Sequence, residues 1–207
     1  EIVEIRDGSP LVTIALHRLL LAILHRNFGP SSFQAWKELW KRGRWSEAEL
    51  ESYFAKCRKG FDLFDSERPF YQVARAELEE EKSERHPIAK LAQELASGNN
   101  STLFDHRFDD VPVHMTPAEA ARYLIAFQNF HIGFGKSQPF YFSDAPLVRG
   151  LTVMVHGKNL FETLTLNMVD YSGDRPIPRS GKDLPAWEQK DPAKPEKKGT
   201  QPRGYLD

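Results

Sequence analysis

The sequence lacks most of the features by which catalytic and membrane proteins are identified. Its 207 residues include one cysteine, Cys57, which excludes an internal disulfide and a thiolate cluster for zinc and fits a reducing cytoplasm. The net charge of −1 does not indicate a nucleic-acid or membrane partner, so any such contact must come from a local patch. The longest apolar stretch, Leu11 to Leu24, is interrupted by polar residues and falls short of a membrane span.

Motifs for nucleophilic catalysis and nucleotide binding are also missing. No G-x-S-x-G elbow occurs, and Cys57 lies within an amphipathic helical pattern, so no catalytic nucleophile is apparent. Lys136 and Ser137 follow Gly135 as they would in a P-loop, but that motif requires another glycine where Phe130 stands. A P-loop also follows a strand, whereas this segment follows a predicted helix. We therefore expect no catalytic residue and no cofactor.

Helix start and stop signals are the clearest structural pattern. Ser9-Pro10 and Gly29-Pro30 are typical of the beginning and end of a helix, and they bound an apolar segment of roughly 18 residues. Further N-caps, each followed by a glutamate at the capping-box position, predict helices that begin after Ser46, Thr116 and Asn159. The helix that begins after Thr116 leads into a glycine-containing segment.

Strand signals are weaker than helix signals. Residues 151–156 (LTVMVH) are rich in β-formers, and residues 102–108 are compatible with an extended strand. We therefore expect an α+β fold that is mixed and helix-rich, with short β-strands and several capped helices. From Ser172 onward the chain contains six prolines and mixed charges, which indicates a mobile or extended connection.

The glycine-containing segment is the most informative part of the chain. Gly133 and Gly135 flank Phe134, and a backbone without Cβ atoms can approach a ligand closely. Lys136 and Ser137 could donate to a phosphate. The alternative is that Gly133 is only the left-handed C-cap of the preceding helix, and the spacing alone leaves both possibilities open.

Two other clusters each have a functional and a structural explanation. Histidines and carboxylates could ligate a metal or form an acid–base pair, or they could belong to a polar surface loop; these residues are His106, Asp109, Asp110 and His114. Tryptophans interleaved with basic residues could bind nucleic acid, or a helix could bury the tryptophans and solvate the lysines; these residues are Trp36, Lys37, Trp40, Lys41, Arg42, Arg44 and Trp45.

Six segments, taken in chain order, resemble one known family. They are SPLVTIALHRLLLAILHR, FDLFDSERPFYQV, PIAKLAQELASGNNSTLFDHRFDD, TPAEAARYLIAFQNFHIGFGKS, APLVRGLTVMVHGKNLFETLTLNMV and LPAWEQKDPA. Their order resembles the large subunit of the type I-E CRISPR interference complex Cascade, the CasA family. The resemblance implies that residues 1–171 are part of an N-terminal α/β domain and that residues 172–207 are an irregular, proline-rich connecting segment of it. The family's opening strands would precede Glu1, and its C-terminal helical bundle would follow Asp207.

The resemblance implies a non-enzymatic DNA-recognition subunit that works in the cytoplasm. Members of the family bind double-stranded target DNA, read the short PAM mainly from the minor groove, and help to open the duplex. The implied partners are the other Cascade subunits, the CRISPR guide RNA, the target DNA and the helicase–nuclease that docks on the complex, with no membrane. The alternatives are a small metal-dependent hydrolase built on the histidine–carboxylate cluster and a pure protein-interaction module.

The resemblance also assigns site residues in this numbering. The family's DNA-binding glycine loop corresponds to Gly133, Phe134, Gly135, Lys136 and Ser137. A second loop, near the guide and the PAM, corresponds to Leu103, Phe104, Asp105, His106 and Arg107. The family pattern has further glycines where Lys136 and Ser137 stand here, which makes this loop less permissive.

Overall fold

The computed structural model describes residues 2–74, 86–95, 113–132, 144–170, 183–189 and 206. Within these ranges the α-helices are α1 (Pro10–Phe28), α2 (Phe33–Arg42), α3 (Glu47–Cys57), α4 (Pro117–Phe130) and α5 (Leu160–Leu166). Short 3-10 helices occupy Arg58–Phe61, Ile88–Leu91 and Ala186–Glu188.

The expected α+β fold is wrong for the described ranges, which contain helices and no β-strand. Residues 151–156 lie outside any helix, but no neighbouring strand pairs with them within the described part of the chain. The backbone N–H of Val155 donates instead to Oδ1 of Asn167 (2.9 Å), and its carbonyl accepts from the Asn167 Nδ2 (2.7 Å). A side-chain amide thus replaces the strand partner, and Leu151 is left 91% exposed. Residues 102–108 lie outside the described ranges.

The predicted helix boundaries are confirmed because each rests on local hydrogen bonds. The helix α1 begins at Pro10 and ends at Phe28, directly before Gly29. The Ser46 and Asn159 side chains accept the backbone N–H of the glutamate at the third helical position, and Thr116 forms both hydrogen bonds of a capping box.

The chain divides into two compact units. The first comprises Glu1–Ile5, His17–Gln72 and Met154–Asp207, and the second comprises Arg6–Leu16 and Val73–Val153. The helix α1 therefore contributes its first turns to the second unit and the rest to the first.

The core of the first unit is built from α1, α2 and α5. Buried Leu24, Leu39, Leu164 and Met168 form an apolar cluster, against which Phe28 and Trp45 also pack. By length and composition α1 is the one described helix that could cross a membrane, a test that the core helix of a soluble protein also passes. Residues of α1, among them Leu24, pack in this apolar cluster, which accounts for the apolar composition of that part of the helix.

A polar network joins α1 and α3 to the Ala186–Glu188 turn in the first unit. The Arg26 guanidinium donates to both carboxylate oxygens of Glu188 (2.8–3.0 Å), and the Tyr53 hydroxyl donates to the same carboxylate (2.6 Å). The indole N–H of the buried Trp187 donates to the Tyr53 hydroxyl oxygen (2.6 Å). Gly60 lies so close to the Trp187 carbonyl that a Cβ would clash with it. This part of the proline-rich segment is thereby fixed to the helices.

The network sets the protonation of its members. Burial of Glu188 would by itself raise the pKa of its carboxyl, but the hydrogen bonds from Arg26 and Tyr53 hold that pKa below its usual value. A carboxyl with a depressed folded-state pKa stabilises the fold above its unfolded pKa of about 4.3. This contribution is lost as the pH falls through the folded-state pKa.

We predict that Glu188→Gln lowers the free energy of unfolding by about 1–3 kcal/mol at pH 7, because a hydrogen bond to a charged group is replaced by a neutral one. Arg26 is partly exposed, so solvent screening favours the lower end of this range. Urea denaturation at pH 7 and at about pH 3 measures the effect, and the wild type loses more stability between these values than the variant. An exposed carboxylate on α2 supplies the control, Glu38→Gln. If the wild type and Glu188→Gln lost the same amount of stability between pH 7 and about pH 3, Glu188 would not be a source of the pH dependence.

Candidate nucleic-acid interface

The structure describes the residues that flank the expected site residues, but not the site residues themselves. Gly133, Phe134, Gly135, Lys136 and Ser137 lie outside the described ranges, as do Leu103, Phe104, Asp105, His106 and Arg107. Their roles therefore stay predictions.

The histidine–carboxylate cluster is equally untested. His106, Asp109 and Asp110 lie outside the described ranges, and His114 is exposed just before α4. No group of three or more metal-ligating side chains occurs within the ranges that the structure describes.

Both ends of the glycine segment are held together by backbone hydrogen bonds. On one side α4 ends, and on the other the chain returns at Asp144. The Ala145 N–H donates to the His131 carbonyl (2.9 Å), and the Leu147 N–H donates to the Asn129 carbonyl (2.9 Å). Residues 132–144 are therefore closed at their base by two consecutive contacts, which restrict the positions of both ends.

The carbonyl between these two is also satisfied. The Gln93 Nε2 donates to the Phe130 carbonyl (2.7 Å), so the carbonyls of three successive residues at the end of α4 all have partners. The last carbonyls of a helix have no partner within the helix and need one from outside. Asn129 is buried, and its side-chain amide donates to the Ile125 carbonyl (2.7 Å). The end of α4 is thus a fixed support for whatever follows it.

The position of the helix end bears on the cap explanation for Gly133. The helix α4 ends at Phe130, and His131 follows it in an extended conformation (φ −74°, ψ 137°). The C′ position therefore falls on Ile132 and not on Gly133. Among the described non-glycine residues only Tyr71 has a positive φ, so Ile132 does not form a left-handed cap. The C′ position of α4 therefore does not fall on Gly133, and the ligand role of the loop stays a prediction.

Two basic side chains at the base of the segment, His131 and Arg149, contribute little free positive charge. Burial, and to a smaller extent the charge of Lys90, lowers the pKa of His131, whose ring lies 3.7 Å from that of Phe127. His131 is therefore neutral at neutral pH. The exposed Arg149 forms an ion pair with Asp144. The charge of Lys90 acts on His131, and Lys136 in the segment itself would add a further positive charge for a phosphate contact.

The segment that precedes the second expected loop is anchored in the same unit. The 3-10 helix Ile88–Leu91 packs against α4, and Ala92 behind it is buried. Gln93 reaches the end of α4, and the neighbouring Glu94 carboxylate accepts from the Ser9 hydroxyl. Residues 92–94 and the base of the glycine segment thus lie against the same helix end in the second unit. Sequence reasoning missed Gln93, because no local pattern marks a contact with a residue 37 positions away.

Several known proteins that are similar to this chain are CRISPR-associated. The family model described as CRISPR-associated protein Cse1 matches residues 1–207. The CRISPR-associated protein CasA/Cse1 of Thermus thermophilus is 39% identical over 196 residues, which cover 91% of this chain and 36% of that protein. The solved structure of Thermus thermophilus CasA (Cse1) is similar with a TM-score of 0.69 at 33% identity, covering 90% of this chain and 35% of that one.

A second solved structure, described as a CRISPR RNA-guided surveillance complex, contains a chain that is similar with a TM-score of 0.73 at 27% identity. The match covers 90% of this chain and 39% of that one. The present chain thus spans a little over a third of the length of the curated relative.

We predict that Gln93→Ala loosens the base of the glycine segment. The Phe130 carbonyl loses its donor, which costs about 1–2 kcal/mol locally. Hydrogen exchange at the Ala145 and Leu147 amides should become faster by roughly five- to thirtyfold, because local opening there needs less free energy. Gln34→Ala is the matched control, since that side chain is exposed and donates to Glu38 of the same helix. Unchanged exchange at both amides would show that Gln93 does not support this base.

Proposed function

The chain belongs to the CRISPR-associated Cse1 family, and we propose that it forms part of the non-enzymatic DNA-recognition subunit of an RNA-guided surveillance complex. The match of the family model over the whole chain supports this proposal, as does the similarity to a chain of a surveillance complex. The proposed partners are the other subunits of Cascade, the guide RNA and the target double-stranded DNA. The proposed place of action is the cytoplasm.

The observation that carries the DNA-binding proposal is the closed base of residues 132–144. A loop that must enter a groove loses less entropy on binding when its ends are already fixed. Here Ala145 and Leu147 fix both ends against the last residues of α4. Gly133 and Gly135 then allow the backbone to lie close to base edges in the minor groove, where a Cβ would collide. Lys136 would neutralise a phosphate at the groove wall.

Minor-groove contact suits the PAM-reading role. The minor groove presents a degenerate pattern of donors and acceptors, so a protein that reads it tolerates several related sequences. Sequence specificity then comes from pairing between the guide RNA and the target, a division of labour known in another CRISPR effector. The subunit would identify a permitted site, help to open the duplex there, and present a docking surface for the helicase–nuclease.

The second loop, residues 103–107, is proposed to contact the guide RNA near the PAM. Phe104 stands among polar residues, where an aromatic ring can stack on an unpaired base. The anchoring of Gln93 and Glu94 in the same unit supports a fixed approach to this loop.

We predict that Gly135→Asp prevents target binding by the assembled complex. The added side chain blocks the approach of the backbone to the groove, and its charge is repelled by phosphates on both walls. Affinity for a PAM-containing duplex should fall at least tenfold, roughly the loss caused by one or more mismatched base pairs. Gly150→Asp is the matched control, because Gly150 has open space around it and belongs to the same unit.

Gel-shift titration of the complex with a PAM duplex measures this loss, while copurification with guide RNA and partner subunits shows that assembly is intact. Wild-type affinity in the Gly135→Asp complex would remove the loop from the interface.

Lys136→Ala tests the chemistry of the same loop. If Lys136 neutralises a phosphate, its loss should weaken binding to all PAM variants about equally and reduce the slope of log K against log salt by roughly one. We expect this outcome, since a lysine stands where the family pattern has glycine. Titrations of several PAM duplexes at three salt concentrations measure both quantities. A selective loss of about 1–3 kcal/mol at one PAM would instead show that Lys136 contacts a base edge.

A further inference from the structure

The helix α2 carries an exposed aromatic stripe in the first unit. Phe33 is 62% exposed, and Trp36 and Trp40 are half-buried. The rings of Phe33 and Trp36 are nearly parallel (11°, centroids 5.9 Å apart), as are those of Trp36 and Trp40 (19°, 5.6 Å). The Trp36 indole N–H donates to the Thr165 carbonyl of α5 (2.8 Å), which fixes the central ring. The stripe is therefore a supported series of nearly parallel rings that is most exposed at Phe33.

A row of lysines borders this stripe. Phe33, Lys37 and Lys41 are spaced four residues apart and follow one line along the helix. Both lysines are exposed, and the Lys37 ammonium lies 4.6 Å from the centroid of the Phe33 ring. At 1.5 Å per residue the two lysines are separated by about 6 Å along the axis.

The charge of the helix is arranged around the stripe. Glu38 and Arg42 each follow a lysine by one position and are turned away from it by roughly 100°. They therefore lie nearly opposite the aromatic stripe. The acidic residue of α2, Glu38, is thus separated from the aromatic rings by the row of lysines. The stripe combines flat apolar surface with positive charge on one border.

Packing of the first unit does not require this arrangement. Leu39 is the buried residue of α2 and contributes to the apolar cluster. Trp45 follows the helix and packs between Phe28 and Phe161, with ring centroids 5.3 Å and 4.9 Å away. Burial thus explains Trp45 and Leu39, whereas the exposure of Phe33 and its lysine neighbours remains without a role in the core.

We propose that the α2 stripe, consisting of Phe33, Trp36, Lys37, Trp40 and Lys41, is a binding platform for single-stranded nucleic acid. Bases would stack against the exposed aromatic surface, and the phosphates would follow the lysine row. An unpaired strand fits better than a duplex, because only unpaired bases offer their faces to aromatic side chains. This surface lies in the first unit and goes beyond the PAM-reading role, which involves loops of the second unit.

The test uses the full-length protein and fluorescence anisotropy with labelled oligo(U) and oligo(dT) at two salt concentrations. Phe33→Ala should weaken binding by about 5- to 150-fold, the equivalent of ~1–3 kcal/mol for a stacked base. Lys41→Glu should also weaken binding, with a smaller salt slope.

Two matched controls separate the platform from general surface effects. Arg42→Glu makes the same kind of charge reversal on the opposite face of α2, and Phe64→Ala removes an exposed aromatic that stands between Asp62 and Asp65. Both should bind like the wild type. Thermal unfolding of each variant checks that Phe33→Ala and Lys41→Glu are folded. We expect both to fold, because Phe33 and Lys41 are exposed.

Three outcomes would overturn the proposal. The first is wild-type affinity in both Phe33→Ala and Lys41→Glu. The second is an equal loss in Arg42→Glu, which would indicate nonspecific attraction. The third is displacement of the oligonucleotide by polyglutamate as readily as by unlabelled oligo(U), which would indicate an acidic protein partner. Gly135→Asp should keep single-strand binding, and Phe33→Ala should keep PAM-duplex binding. A failure of the single-strand proposal can therefore be distinguished from a failure of the PAM-reading proposal.

Discussion

The described part of the second unit depends on how the carbonyl groups at the end of α4 are satisfied. A helix end leaves carbonyls that have no donor within the helix, and burying them unpaired costs free energy. Here Leu147, Gln93 and Ala145 donate to the carbonyls of Asn129, Phe130 and His131 in turn. Because donors come from both sides of the chain, the hydrogen bonds that satisfy the helix also fix the ends of the glycine segment. One requirement of backbone chemistry thereby fixes both ends of the segment that carries the proposed DNA contact.

In the first unit, side chains fix a segment that the backbone alone would not hold in place. The Ala186–Glu188 turn has little regular structure of its own, and Trp187 and Glu188 hold it against α1 and α3. Glu188 receives hydrogen bonds from both Arg26 and Tyr53, so its burial does not leave a charge unpaired. In each unit, hydrogen bonds between distant parts of the sequence fix residues that lie outside the α-helices.

This division between local and distant interactions decides what could be predicted. The N-caps at Ser46, Thr116 and Asn159 were predictable, because a cap and its partner are separated by one helical turn. The pairs Arg26–Glu188 and Gln93–Phe130 join residues 162 and 37 positions apart, and nothing in their local sequence marks them. The failed strand prediction has the same cause. Residues 151–156 have the composition of a strand, but a strand also needs a partner, and Asn167 takes that place for Val155. The glycine loop was assigned from the family resemblance, and the structure contributes its anchored base.

The near-neutral charge of the chain also constrains how it can bind nucleic acid. A protein with a net charge of −1 has no general attraction for phosphates, so each contact must be made by a local arrangement. The proposed loop uses close approach of a glycine backbone with a single lysine, and the α2 stripe uses flat rings bordered by Lys37 and Lys41. Both depend more on shape than on charge.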